Sequence, residues 1–147
     1  MKRIRLLCLA ACAAAFWMAP FGATAEGATP DWSTVSDVHE VHVLTTNQDG
    51  SLRETTIWFT SVAGQAFIRT SASTTWGDNV ERNPDISLRI EKVEYPFHAV
   101  FITDAATRAA VVAAFRAKYG WPDRLLGFMR GSTPRIMRLD PRAPGAN

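Results

Sequence analysis

Between Val41 and Leu88 the chain lines up turn and strand signals in an order that leaves few folds open. Val41, Val43 and Thr45 alternate with His42, Leu44 and Thr46 before the cluster Asn47-Gln48-Asp49-Gly50, which is turn chemistry with a glycine able to take positive φ. That pattern is a hairpin. Its return strand, Leu52 to Thr60, is dense in β-branched and aromatic residues, and Ala63-Gly64 turns the chain into a third strand from Gln65 to Thr70. Small polar residues after Arg69-Thr70-Ser71 lead into one or two helical turns from Thr75 to Arg82. Pro84 ends that helix and opens a fourth strand from Ile86 to Glu91. The stretch points toward a small barrel.

The rest of the chain supplies the remaining elements. Tyr95 to Ile102 reads as a strand with Phe97, Ala99 and Phe101 on one face and His98, Val100 and Ile102 on the other, both faces largely covered. Thr103-Asp104 opens a helix to Tyr119, where Arg108, Val111, Val112, Phe115 and Tyr119 recur at helical spacing and Gly120 gives the stop. Trp121-Pro122-Asp123 begins an irregular segment containing Leu125, Leu126, Phe128 and Met129, and Arg135 to Leu139 forms a last strand. Upstream, Asp31 or Ser33 caps a short helix through Val38.

Residues 1–25 read as a secretory leader. Lys2, Arg3 and Arg5 precede an apolar run from Leu6 to Phe21, and Ala23-Thr24-Ala25 before Glu26 has the form of a cleavage site. Pro20 and Gly22 interrupt the run before it reaches the ~18 residues a spanning helix needs. Leu9-Ala10-Ala11-Cys12 also has the form of a lipoprotein box, but it follows only six apolar residues and leaves a hydrophobic run behind it. The expected product is a periplasmic or secreted domain over 26–140 with a flexible tail over 141–147. Three of the sixteen basic residues lie in the leader, which leaves thirteen against fourteen acidic ones. No basic face for nucleic acid survives in bulk. Cys8 and Cys12 also belong to the leader, so the exported domain is expected to lack a disulfide or thiolate and to hold together by its core.

The segment Gly50-Ser51-Leu52-Arg53-Glu54-Thr55-Thr56-Ile57-Trp58-Phe59 resembles the Gly-x-x-Arg-x-Thr-x-x-Trp-Phe strand of the FMN-binding split β-barrel group, which includes pyridoxamine-phosphate-oxidase-like and deazaflavin-dependent nitroreductase-like proteins. Arg69-Thr70-Ser71 is similar to that group's phosphate-contacting strand end. Trp76-x-x-Asn79-Val80-x-x-Asn83-Pro84-x-x-x-Leu88 is similar to its helix-to-strand segment, where FMN-binding members often carry Lys at the place of Trp76 and several deazaflavin-type relatives carry an aromatic. Six strands with helices after the third and the fifth suit such a barrel, in β-β-β-α-β-β-α-β order, whereas a sandwich needs more strands.

The resemblance implies a flat phosphorylated cofactor, FMN or a deazaflavin, in a cleft lined by Arg53, Thr55, Thr56, Trp58, Arg69, Thr70, Ser71, Ser73, Trp76 and Asn79. It also implies a homodimer and hydride transfer to a small quinone or nitro-type acceptor, with the cofactor carrying the redox chemistry. Each residue has a plainer use. Arg53 can form a cross-strand pair, only one of Thr55 and Thr56 can face the cleft, Trp58 and Trp76 can be core aromatics, and Asn79 can cap a turn. A non-catalytic module for a flavin or tetrapyrrole, or a barrel without a site, stays open. His39-Glu40-Val41-His42 spaces its histidines three apart in a strand, not four apart on a helix, so no metal site is expected. Neither a Gly-x-Ser-x-Gly elbow nor a Walker loop occurs. Asp78 and Glu81 read as solvated charges rather than an acid-base pair.

Overall fold

A computed structural model describes residues 29–122 and 133–142. The leader, Cys8, Cys12, Leu125 to Met129 and all but the first two residues of the tail lie outside the described residues.

Six strands form one closed antiparallel barrel: β1 (Glu40–Thr46), β2 (Leu52–Val62), β3 (Gln65–Thr70), β4 (Asp85–Ile90), β5 (Val93–Phe101) and β6 (Arg135–Pro141). Around the barrel they run β1-β2-β3-β6-β5-β4, and β4 pairs back onto β1. Helix α1 (Thr75–Arg82) follows β3 and α2 (Ala105–Tyr119) follows β5, the order expected from the sequence. The short helix expected from Asp31 to Val38 is a correction: this segment is a succession of turns. Asp31 does act locally, accepting from the Ser33 N–H at 2.9 Å and its hydroxyl at 2.6 Å. Such bonds serve an Asx turn as well as a helix start, and here the chain turns again instead of continuing as a helix. Its payload is Trp32, which packs on Phe59 and Phe97 at ring distances of 6.0 and 5.8 Å.

Register explains which side chains fill the barrel. Val41 faces Ile57 and Val43 faces Thr55, so the alternation of β1 and β2 sends Val41, Val43, Ile57 and Phe59 inward. They join Ala66, Ile68, Leu88, Phe97, Met137 and Leu139, with Trp76 and Val80 entering from α1. The same alternation turns Thr56 and Trp58 outward. A second cluster forms on the outer surface, where Val111, Phe115 and Tyr119 of α2 cover Phe67 and Ile136. Tyr119 has a further role: its hydroxyl accepts from the Phe59 N–H at 3.2 Å and lies 2.7 Å from the His39 carbonyl and 2.8 Å from that of Phe59. Pairing of β2 with β1 stops at Trp58 opposite Glu40, so this hydroxyl meets backbone groups the neighbouring strand no longer reaches.

Candidate functional site

The outward residues of β2 meet the end of β3 and the start of α1 at a cleft of about 290 Å3, lined by Thr56, Ile57, Trp58, Arg69, Thr70, Ser71, Thr74 and Trp76. Thr74 caps α1, its Oγ1 accepting from the Gly77 N–H at 3.2 Å, and its hydroxyl also bonds that of buried Thr70. If Thr70 donates in that pair, the Thr74 proton is left over to meet a ligand. Gly77 is required beside this cap, because a Cβ there would lie 2.4 Å from Arg135 Nη2 and 2.8 Å from Thr70 Cγ2 and Thr74 Oγ1. Arg135 holds the strand end from below. It donates to Asp78 at 3.1 Å, to Glu81 at 2.7 Å and to the Ser71 carbonyl at 3.3 Å.

One wall of the cleft is aromatic. Half-buried Trp58 stacks on Tyr119 at 4.4 Å with an interplanar angle of 3°, which fixes its ring plane. Burial pushes the Tyr119 phenol up to about 12, against the hydrogen bond at Phe59 and the Arg69 charge, which lower it. The Arg69 guanidinium sits 4.1 Å from the centroid of the Phe115 ring, a cation–π contact that places positive charge at the cleft. On the far side of Trp58 lies a hollow of about 560 Å3 bounded by His39, Glu40, Lys118, Tyr119 and Pro122.

Six of the ten residues singled out in the sequence therefore share one cleft: Thr56, Trp58, Arg69, Thr70, Ser71 and Trp76. Trp76 is only 7% exposed and belongs to the core as well, so the position where FMN-binding relatives often carry Lys is here a packed aromatic and not a ring open to solvent. Thr55 faces the barrel interior, Ser73 is exposed, and neither lines the cleft. Arg53 and Asn79 border a separate depression with Asn47, Thr75, Asp78 and Arg82. There Asn47 Oδ1 accepts from Arg53 Nε and from Asn79 Nδ2, both at 2.9 Å, and Asn79 Oδ1 accepts from Arg82. Arg53 thus serves the hairpin turn rather than Arg69. Thr74 was readable in advance as the Thr before a helix. Arg135 and Tyr119 were not readable as parts of this region, because no local signal ties them to a strand end over forty residues away. His42 lies 3.3 Å from Glu54 and His98 2.7 Å from Asp85, and no group of three metal-ligating side chains forms among the described residues.

The family described as an uncharacterized protein conserved in bacteria (DUF2255) matches residues 31–139. No curated protein matches. Among solved structures the chain is similar to the conserved hypothetical protein Rv2991 of Mycobacterium tuberculosis, with 16% identity, a TM-score of 0.64, and coverage of 80% of this chain and 84% of that one. It is similar to HutZ, the heme storage protein of Vibrio cholerae, at 17% identity and TM-score 0.58, over 70% and 81% of the two chains. An F420 reductase matches at 15% identity and TM-score 0.58, over 79% and 96%. At such identities the likeness is one of fold, and that fold is the split barrel which the Gly50 to Phe59 and Trp76 to Leu88 segments resemble.

Proposed function

The chain belongs to the DUF2255 family, and from that premise and the cleft's geometry we propose that it binds a flat anionic cofactor of the flavin or deazaflavin type on the outer face of β2. The observation that carries this reading is the meeting of Trp58, held flat by Tyr119, with Arg69, Ser71 and Thr74 in one cleft. A planar ring has a stacking surface there, and a phosphate has a guanidinium and hydroxyl donors. The fit is good in chemistry and partial in size. A volume of about 290 Å3 stands at the lower edge of ligand pockets, which run roughly 300–1,000 Å3. In our reading a second copy of the chain completes the cleft.

The cofactor would supply hydride transfer to a small quinone or nitro-type acceptor. This chain's residues bind the anion, orient the ring and admit the acceptor; no side chain is assigned as acid or base. An F420 reductase with this fold supports the redox reading. A heme storage protein with the same fold supports a second one, storage or transfer of a tetrapyrrole, and His39 beside Trp58 gives that reading a candidate nitrogen near the ring. In either case the leader directs the domain out of the cytoplasm. Absorption of the exported protein titrated with FMN, a deazaflavin and hemin distinguishes the readings: saturable perturbation of the flavin bands supports the first, a shifted Soret band the second, and no saturable change with any of the three removes both.

A further inference from the structure

The hollow behind Trp58 is a separate space from the cleft, and its lining has a chemistry of its own. Trp58 and Tyr119 provide aromatic walls, Pro122 an apolar edge, and Lys118 a cation; His39 and Glu40 close the β1 side. Lys118 is the unusual member. Its ammonium packs 3.8 Å from the centroid of the buried Phe59 ring and 5.4 Å from that of Tyr119, and no carboxylate among the described residues comes within ion-pairing distance of it. Arg89, Arg135, Arg138 and Arg142 each meet an acid instead. Burial holds the Lys118 ammonium below the usual lysine range, with the Asp37 charge only partly opposing it. Among the described residues this half-desolvated cation has a ring beneath it and no carboxylate beside it, which leaves its charge at the edge of the hollow only partly compensated.

We propose that this hollow is a binding site for a small aromatic carboxylate, whose ring lies along the edges of the stacked Trp58 and Tyr119 and whose carboxylate pairs with Lys118. The volume of about 560 Å3 admits a one- or two-ring acid. Glu40 stands on the opposite strand and sets the polarity, since an anion is repelled from the β1 side and drawn to the α2 side. The hollow and the cleft share Trp58, but the carboxylate at Lys118 uses neither Arg69 nor the Ser71 and Thr74 hydroxyls.

Titration of the full chain with 2-naphthoate, followed through the Trp58 indole N–H resonance assigned by Trp58→Phe, tests it. Saturable binding is expected, weakened at least about tenfold by Lys118→Met, the scale of a lost charge-assisted hydrogen bond. Lys92→Met, on the exposed β4–β5 turn, should leave it unchanged, and Arg69→Gln should weaken it less than Lys118→Met does. The neutral isostere 2-naphthalenemethanol should bind wild type more weakly by a similar factor and be indifferent to Lys118→Met. The proposal is overturned if the alcohol binds wild type as well as the acid, if no saturation occurs, or if Arg69→Gln and not Lys118→Met abolishes binding, which would put the anion in the cleft.

Discussion

Tyr119 is one residue with two jobs, and pH separates them. Its ring supports Trp58 while its hydroxyl meets the backbone at Phe59 and His39. Because the folded phenol titrates near 12 and an ordinary one near 10, both folded and unfolded chains keep the proton below pH 10. Between those values the unfolded chain loses the proton first, so stability falls as pH rises. Lys118, whose value is lowered, acts in the opposite direction, but it is present in wild type and in Tyr119→Phe alike. Urea unfolding from pH 8 to 11.5 should therefore show the gap between wild type and Tyr119→Phe shrinking above pH 10. At pH 8 the variant should be less stable by about 1–3 kcal/mol, the cost of leaving buried backbone groups unsatisfied. A gap that stays constant to pH 11.5 would mean the phenol is not protected by the fold. Arg69 gives a second test at this scale. Arg69→Gln should weaken binding of the cleft's ligand by about 1.5–3 kcal/mol, as expected for a charge-assisted hydrogen bond. Arg53→Gln, which lies outside the cleft, and Arg89→Gln, bound to Glu54 and Glu94 on the outer face, should do less. Equal losses at Arg53 and Arg69 would show that the two depressions act as one site.

At the scale of elements, the turn between β2 and β3 is built from two left-handed residues, Ala63 at φ 50° and Gly64 at φ 77°. Glycine adopts that conformation without cost, whereas alanine is strained there. Ala63→Asn, which suits a turn of this hand, should raise the unfolding free energy by roughly 0.5–1 kcal/mol in a urea melt; a loss of stability would mean that the turn's geometry differs. Such local rules explain why most elements were legible in the sequence. β3 and α1 match the sequence reading to the residue because Ala63-Gly64 and Pro84 punctuate the chain. β2, β4, β5 and β6 differ from expectation only at their ends. The segment at Asp31 to Val38 forms turns where a helix is expected because an Asp or Ser that suits a helix cap suits an Asx turn equally, and what fixes the segment is Trp32 docking on distant Phe59 and Phe97. The site was legible in six of its ten expected residues for a related reason. Spacing along β2 places Arg53 and Thr55 on the face opposite Thr56 and Trp58, but it says nothing about which side of α1 each residue meets. Only closure of the barrel separates Arg53 and Asn79 from Arg69.

For the whole molecule, the central question is whether the cleft is a cofactor site and whether one chain is enough to make it. Leu52 at 68% and Trp121 at 71% are the large hydrophobic side chains left exposed among the described residues, which is surface a second copy can cover. Light scattering at micromolar concentration should give a two-fold dimer, and a strict monomer that binds its ligand at full affinity would contradict the shared-cleft reading. The most direct test of the central claim is a visible-absorption titration of FMN and a deazaflavin against wild type, Trp58→Ala and Arg69→Gln, with circular dichroism as the folding control. The account predicts saturable, red-shifted binding of one of the two by wild type, loss of the spectral shift in Trp58→Ala, and weaker affinity with the shift retained in Arg69→Gln. Binding that is unchanged in both folded variants, or no binding by wild type at high micromolar ligand, would contradict it.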